Sequence, residues 1–223
     1  MSARTYHHPD LRNTLLEAAV ALIGEVGPRA FTLREVARRA GVSHNAPYRH
    51  FDSRDDLLTA VALEGFDRLT RLMQKNLAPG KTPIDQLELC GCGYVDFAIG
   101  WPNHLQVMFD LAPAPHTHGQ SQSHGHVGEN AFLVLLNCIK AAQSSGDLPA
   151  GDPMPLALTA WSLVHGIAKL AIGGNLQLDR KATIAFTHKA AQTLFGGMAK
   201  KTSTVAEFRP TPSAARAKVK NRL

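Results

Sequence analysis

The stretch of residues 31–58 constrains the possible folds more strongly than any other part of this sequence. Within it, Thr32 and Glu35 have the spacing of a capping box, in which two side chains satisfy free backbone amides at a helix start. Gly41 would end that helix, because glycine adopts a left-handed conformation at little cost. The apolar residues at helical spacing between these signals are Leu33, Val36, Ala37 and Ala40. This pattern predicts a short helix with one buried face.

A second short helix is predicted directly after the turn. Ser43 is a suitable N-cap for a helix over residues 44–50, and Phe51 would anchor the end of that helix in a core. The side chains between Ser43 and Phe51 are mostly polar, and a purely structural helix would not need them. This favours a helix that presents these side chains to a partner. Ser53 and Asp56 then repeat the capping signal and begin a third helix. The stretch therefore predicts a helix-turn-helix in which the second helix is the recognition helix.

This stretch resembles the DNA-binding domain of TetR-type transcriptional regulators. The residues that carry the resemblance are Thr32, Val36, Ala37, Gly41, Val42, Ser43, Tyr48, His50, Phe51 and Leu57. Arg54 stands where that family usually has lysine. A further segment is similar to the Trp-x-x-x-His-Gly sequence of a subset of the family, and its residues here are Trp161, His165 and Gly166. The resemblance implies an all-helical homodimer whose last two long helices form a four-helix bundle between subunits.

The remainder of the chain is also expected to be helical, because no segment alternates between apolar and polar residues as a strand does. The predicted helices cover residues 11–24, 53–75, 84–100, a short segment after Pro102, 132–144, 155–172 and 180–195. Together with the resemblance, this predicts an all-α protein of about nine helices. Its expected parts are a DNA-binding domain over 1–53, a ligand-binding and dimerisation domain over 54–196 with a connecting helix over 54–78, and a basic tail over 197–223.

Eight residues are candidate DNA contacts. They are Thr32, Arg34, Ser43, His44, Asn45, Tyr48, His50 and Arg54. In the major groove, the amide of Asn45 can pair with adenine and the ring of His44 can bond a base edge. Tyr48 and His50 match family positions that contact phosphate. The alternative is that these last two side chains only pack against the domain and cap it.

The resemblance also implies an effector pocket within the C-terminal domain. The large side chains available to line it are Phe97, Trp101, Met108, Phe109, Phe132, Trp161 and His165. Trp161 and His165 lie one helical turn apart, so they can contact the same ligand or the same core neighbour. Aromatic residues at helical spacing are equally typical of an ordinary core. The sequence does not identify the effector, and a hydrophobic or aromatic molecule is the default expectation.

The net charge of +6 comes from the C-terminal tail and not from the predicted DNA-binding domain. Residues 198–223 contain seven basic residues and one acidic residue, whereas residues 1–60 contain eight and seven. Between Arg29 and Arg54, six arginines face two acidic residues, which predicts a modest positive surface of the sign that DNA requires. The tail can act as a solubilising extension, as an added phosphate clamp, or as a segment that orders on a partner.

Composition argues against several other classes of protein. No apolar run approaches the roughly 20 residues that cross a bilayer, and no secretory signal is apparent, so we expect a cytoplasmic protein with no membrane contact. Cys90, Cys92 and Cys138 lack the spacing of a zinc site and should be reduced and packed. No nucleophile–base pair, phosphate-binding glycine loop or pair of carboxylates is apparent. We therefore expect no enzymatic activity, no catalytic residues and no cofactor.

A histidine-rich loop leaves one alternative open. His116, His118, His124 and His126 form two His-x-His pairs that could bind zinc, nickel or copper, although no resident metal is expected. The main expectation is a ligand-responsive transcriptional regulator, most often a repressor in this family. It would bind a pseudo-palindromic operator as a homodimer and be released by a small-molecule effector. The alternative is a metal-sensing regulator that uses the loop histidines.

Overall fold

The computed structural model describes residues 10–27, 30–111 and 126–199, and every regular element in these ranges is helical. The α-helices are α1 (Leu11–Val26), α2 (Leu33–Arg39), α3 (Arg54–Leu77), α4 (Pro83–Gly100), α5 (Pro102–Gln106), α6 (His126–Ser144), α7 (Pro153–Ile172) and α8 (Arg180–Ala199). A 3-10 turn spans Pro47–Arg49, and a π-helical turn spans Val107–Leu111. The prediction of an all-α chain is confirmed, with eight α-helices in the described ranges.

The helix starts in the N-terminal part follow the predicted capping signals. At α2, the Thr32 amide donates to Glu35 Oε2 at 2.7 Å, and the Glu35 amide donates to Thr32 Oγ1 at 3.3 Å. At α3, the Asp56 amide donates to Ser53 Oγ at 3.0 Å. Gly41 has a φ of +68°, the left-handed conformation predicted at the end of α2. These local predictions are confirmed.

The predicted recognition helix over residues 44–50 is not an α-helix in the structure. Residues 44 and 45 form a turn, and only Pro47–Arg49 are helical, in the 3-10 form. Pro47 has no amide proton, so it cannot make the α-helical bond to the carbonyl of Ser43. That carbonyl instead accepts from the Ala46 amide at 2.9 Å, three residues on. Ala46 is the N-cap, without a side-chain hydrogen bond, so the predicted cap at Ser43 is wrong.

Three C-terminal boundaries also differ from the prediction. Helix α6 begins at His126 and not at residue 132, so the fourth loop histidine lies on a helix. His116, His118 and His124 lie outside the described residues. Helix α7 begins two residues early at Pro153, because the Asp152 side chain accepts from the Met154 amide at 3.0 Å. Helix α8 continues to Ala199, beyond the predicted start of the tail.

Helix α4 is the central element of the C-terminal domain, and α3, α6, α7 and α8 pack around it. Its residues from Leu87 to Val95 are all buried except Leu89. A Cβ atom at Gly93 would lie 3.0 Å from the Met73 backbone, so glycine lets α3 and α4 approach closely. Cys90, Cys92 and Cys138 are buried free thiols, as predicted. The core of this domain is therefore organised about α4.

The short helix α5 connects the N-terminal domain to the C-terminal core. It packs against both α1 and α3. The Asn103 side-chain amide donates to the Val20 carbonyl of α1 at 3.2 Å. The π-helical turn follows α5 without a break and includes Phe109. Helix α5 and this turn therefore form a continuous connection between α1 and the C-terminal core.

His104 of α5 is buried, with only 5% of its surface exposed. Its Nε2 atom lies 3.7 Å from Glu64 Oε2, which is longer than a hydrogen bond, and neither ring nitrogen has a hydrogen-bond partner among the described residues. Burial lowers the pKa of His104, while the Glu64 carboxylate raises that pKa by a smaller amount and Arg68 lowers it further. The ring is therefore neutral in the folded protein at pH 7.

We expect the free energy of unfolding to fall as the pH drops below about 6.5, because the unfolded chain binds a proton at this histidine that the folded protein resists. One such group contributes a slope of at most about 1.4 kcal/mol per pH unit. The substitution His104→Leu removes this contribution of His104 to the pH dependence of the free energy of unfolding. Urea denaturation between about pH 7.5 and about pH 5.5 should therefore show a smaller loss of stability in the variant. Equal losses in the two proteins would contradict this assignment.

Candidate DNA-binding face and internal cavity

The recognition segment, residues 43–50, is held against α2 by its turn. The Val42 amide donates to the Ala37 carbonyl at 3.0 Å, and Pro47 is the one buried residue of the segment. Phe51, directly after the segment, is 2% exposed and anchors its end in the core of the N-terminal domain, and Phe31, also 2% exposed, anchors the chain before α2. The segment is therefore fixed in position although it forms only one helical turn.

This arrangement leaves seven of the eight predicted DNA contacts exposed. They are Thr32, Arg34, Ser43, His44, Asn45, Tyr48 and His50. Half of the surface of Tyr48 is exposed, which is unusual for an aromatic side chain next to a core. The Thr32 hydroxyl is 3.0 Å from Glu35 Oε2 and is thus shared with the capping box. The two ends of the candidate face are the start of α2 and the recognition segment.

Arg54, the eighth predicted contact, is partly buried. Its guanidinium carbon lies 5.1 Å from the centre of the Phe31 ring, and its Nη1 atom lies 3.8 Å from Asp55 Oδ1. These contacts hold the arginine at the N-terminus of α3, where an anion is also favoured. A phosphate contact by Arg54 would therefore use a side chain that is already oriented.

Two further arginines take roles that sequence reasoning did not find. The guanidinium carbon of Arg12, at the start of α1, lies 5.6 Å from the centre of the Phe51 ring, so this exposed side chain is placed next to the recognition segment. Arg39 donates to both carboxylate oxygens of Glu25, at 2.5 and 2.7 Å, and braces α2 against α1. No local pattern reveals either contact, because the partners are distant in sequence.

A partly open cavity of about 350 Å³ lies within the C-terminal domain between α3, α4, α6, α7, α8 and the π-helical turn. This volume is at the small end of the range of about 300–1,000 Å³ typical of ligand pockets. Aromatic side chains form a continuous part of its wall. The ring centres of Phe66 and Phe109 are 5.6 Å apart, those of Phe109 and Trp161 are 6.0 Å apart, and those of Phe132 and Trp161 are 6.0 Å apart.

Three of the seven predicted pocket residues line this cavity, namely Phe109, Phe132 and Trp161. The other four, Phe97, Trp101, Met108 and His165, are not among its lining residues. Phe97 and Trp101 stack on each other, with ring centres 5.7 Å apart. Met108 points to α3, where its sulfur occupies the space beside Gly65. Sequence periodicity places these residues in the core, but it does not say which core residues border a gap.

His165 lies behind the cavity wall and supports it. Its Nδ1 atom is 2.7 Å from the hydroxyl of Tyr94, a lining residue that sequence reasoning missed. Its ring centre is 4.9 Å from that of Phe109. Burial raises the pKa of Tyr94, and a side-chain hydrogen bond from Trp161 lowers it by a smaller amount. The Tyr94 side chain is therefore neutral and oriented by two aromatic neighbours.

The outer face of α7 is apolar and exposed. Leu158 and Leu170 are each 47% exposed, and Ser162 and Gly166 lie between them at four-residue spacing. A Cβ atom at Gly166 would meet no atom within 4 Å, so packing within the subunit does not require glycine there. Helix α7 is the one described helix that is long and apolar enough to cross a membrane, by length and composition.

The described residues contain no group of three or more side chains that could hold a metal ion. The prediction of a metal-sensing loop depends on His116, His118 and His124, which lie outside the described ranges, and on His126 at the start of α6.

The helix-turn-helix with its exposed polar segment, joined to a separate helical domain, defines a DNA-binding protein of the helix-turn-helix class. Residues 15–61 match the family described as "Bacterial regulatory proteins, tetR family". Residues 87–193 match the family described as "Tetracyclin repressor-like, C-terminal domain". The chain belongs to the TetR family of transcriptional regulators.

Individual relatives agree with this assignment. The chain is 36% identical over 74 residues to the transcriptional repressor Rv3405c of Mycobacterium tuberculosis, covering 33% of this chain and 37% of that one. It is 35% identical over 78 residues to the transcriptional repressor KstR of Rhodococcus jostii, covering 35% of this chain and 36% of that one. The matched part thus spans about a third of these curated relatives.

Solved structures resemble the chain over most of its length. A protein of unknown function from Rhodococcus sp. RHA1 is 32% identical, with a TM-score of 0.75 over 89% of this chain and 100% of that one. The transcriptional regulator FadR from Bacillus subtilis, in complex with stearoyl-CoA, is 17% identical, with a TM-score of 0.68 over 83% of this chain and 98% of that one. At that identity, the second likeness shows the fold alone.

Proposed function

We propose that this protein is a ligand-responsive transcriptional repressor that binds a pseudo-palindromic operator as a homodimer and is released by a small-molecule effector. The observation that carries the proposal is the exposure of Ser43, His44 and Asn45 on a segment that contains the buried Pro47 and ends at the buried Phe51. A rigid segment of this kind can enter the major groove and present its polar side chains to base edges.

Each exposed side chain has a separate role in the proposed complex. Asn45 and His44 contact base edges, with Ser43 beside them, and Arg34 reaches a guanine or a phosphate. Tyr48 and His50 donate to phosphates, which position the protein without reading sequence. The Thr32 hydroxyl and Arg54 add phosphate contacts at the starts of α2 and α3. Arg12, next to Phe51, extends this set.

The proposed dimer forms through α7 and α8. Exposed leucines on α7 would be covered by the partner subunit, and Gly166 would let the two copies of the helix approach closely. Phe186 of α8 is also exposed, at 44%, and we assign it to the same interface. Burial in a dimer removes the exposed apolar area that would otherwise be costly in water. We accordingly assign this face to a second copy of the chain. As a regulator of transcription, the protein is also proposed to act in the cytoplasm.

The proposed effector site is the cavity, and α5 is the proposed link to DNA. Phe109 lies in the cavity wall, and the turn that carries it continues from α5, which is hydrogen-bonded to α1 through Asn103. A ligand that moves Phe109 would shift α1 and change the separation of the two DNA-binding domains. The coupling between effector binding and DNA binding is then the free-energy difference between two dimer states. The stearoyl-CoA complex of FadR, which has the same fold, supports an effector of small-molecule type.

A fluorescence-anisotropy titration on DNA from the region upstream of its own gene tests the proposal. We expect tight, sequence-selective binding that weakens steeply when the salt concentration rises from about 50 to about 200 mM. Scrambled DNA of the same length is the control. Weak binding to every DNA that disappears when residues 198–223 are removed would contradict the proposal, because the basic tail would then be the DNA contact.

A further inference from the structure

The wall of the cavity carries no charged side chain. Among its described lining residues there is no aspartate, glutamate, lysine, arginine or histidine. An ion that entered would lose its hydration and find no opposite charge, which is strongly unfavourable in an apolar site. The wall therefore selects most strongly against anions, whereas its aromatic faces compensate only part of the hydration that a cation loses.

Three acidic residues on the helices around the cavity are paired elsewhere. Glu88 of α4 is 2.9 Å from His188 Nε2 of α8, and neither residue lines the cavity. Asp96, also on α4, accepts from Arg180 Nε at 2.7 Å on the outer side of the domain. Glu64 of α3 is paired with Arg68 of the same helix. None of these charges is directed into the cavity.

One hydroxyl group interrupts the apolar wall. Among the described lining residues, only Tyr94 has a side-chain oxygen, and it is 3% exposed. Its hydroxyl is held 2.7 Å from His165 Nδ1. Since a hydroxyl can donate one hydrogen bond and accept two, the contacts with His165 and Trp161 leave capacity for one ligand group. A buried hydrogen bond of this kind contributes orientation and specificity.

We propose that the cavity binds an uncharged lipophilic molecule that carries a single oxygen function, and that the Tyr94 hydroxyl is the hydrogen-bond partner of that oxygen. A long-chain alcohol or ketone has this chemistry, whereas a fatty acid or an acyl-CoA does not. This inference rests on the proposed function only in one respect, namely that a ligand in the cavity changes DNA binding. Binding to the cavity can be measured without DNA.

Isothermal titration calorimetry of the full chain with three probes of the same alkyl chain tests the charge selection. The probes are decan-1-ol, decanoate and decyltrimethylammonium. We expect decan-1-ol to bind at least ~30-fold more tightly than either ion, because decanoate loses its hydration without compensation and the aromatic faces replace only part of the hydration of decyltrimethylammonium. Binding of decanoate or decyltrimethylammonium at the same affinity, or the absence of binding by decan-1-ol, would overturn the proposal.

Two pairs of variants locate the probe. Ala160→Leu fills the cavity and should weaken decan-1-ol binding at least ~10-fold, whereas Ala141→Leu, the same change at an exposed site on α6, should leave it unchanged. Tyr94→Phe should weaken decan-1-ol ~5-fold and leave 1-chlorodecane within ~2-fold, because only the alcohol loses a hydrogen bond. Equal effects within either comparison would overturn the assignment.

The fluorescence of Trp161 locates the probe without requiring a cavity variant to fold correctly. In Trp101→Phe, Trp161 is the only tryptophan of the chain. Decan-1-ol should change its emission with the same midpoint as the calorimetric titration, and an unchanged emission would overturn the location. If decan-1-ol binds in this way but the protein ignores operator DNA, the proposed function fails and the cavity assignment stands. If the protein instead binds operator DNA tightly but does not prefer decan-1-ol to the charged probes, the proposed function stands and the cavity assignment fails.

Discussion

The double substitution Asn45→Ala and Tyr48→Phe is expected to lower the affinity for the operator at least ~100-fold while the fold is retained. A bidentate amide–adenine contact contributes about 1–3 kcal/mol of discrimination, and a hydrogen bond to a charged phosphate about 1.5–3 kcal/mol. A symmetric dimer loses each contact twice. Both side chains are exposed, so their replacement removes no core packing. Fluorescence anisotropy with operator and scrambled DNA measures the effect.

The matched control for this substitution is Gln74→Ala. Gln74 carries the same amide group at an exposed position of α3, away from the recognition segment. We expect its affinity for the operator to stay within ~2-fold of the unaltered protein, as for most exposed positions without a partner. If the double variant binds the operator as tightly as this control does, the recognition segment is not the reading element.

Leu158→Arg is expected to convert the dimer to a monomer and, with it, to abolish tight operator binding. In the proposed interface, twofold symmetry places two new guanidinium groups in an apolar contact. Each unpaired buried charge costs several kcal/mol. The dimer dissociation constant should therefore rise at least ~100-fold, which is about 3 kcal/mol. Sedimentation equilibrium at micromolar concentrations measures this change directly.

The control for the dimer is a leucine of equal exposure on another helix. Leu133 of α6 is 46% exposed, against 47% for Leu158. Leu133→Arg should remain dimeric, because α6 does not belong to the proposed interface. Two variants that dissociate equally would show that α7 has no special role. An unaltered protein that is monomeric at these concentrations would contradict the dimer itself.

Local signals predicted the N-terminal domain well. The caps at Thr32 and Ser53 and the left-handed Gly41 depend on contacts within a few residues, so the sequence pattern is sufficient to predict them. The same reasoning was wrong about the recognition helix. Pro47 is compatible with the first turn of an α-helix, but the amides of Ala46, Arg49 and His50 bond to carbonyls three residues earlier, which is the pattern of a 3-10 turn.

Contacts between distant parts of the chain were not predictable in this way. Arg12 lies against Phe51, and Arg39 against Glu25, only because α1 packs across the helix-turn-helix. Tyr94 was not predicted at the cavity, since its position on a buried helix is equally consistent with solid core. Four of the predicted pocket residues are packed elsewhere for the same reason.

The sequence by itself determined the all-α architecture, the helix-turn-helix and the family, because periodicity, capping residues and a specific motif are properties of neighbouring residues. Only the tertiary structure decided where the cavity lies, that the described part of its wall is free of charge, and that α7 keeps an apolar face exposed. These features arise from the gaps and surfaces left when several helices pack together. No single helix encodes the space that its neighbours leave open.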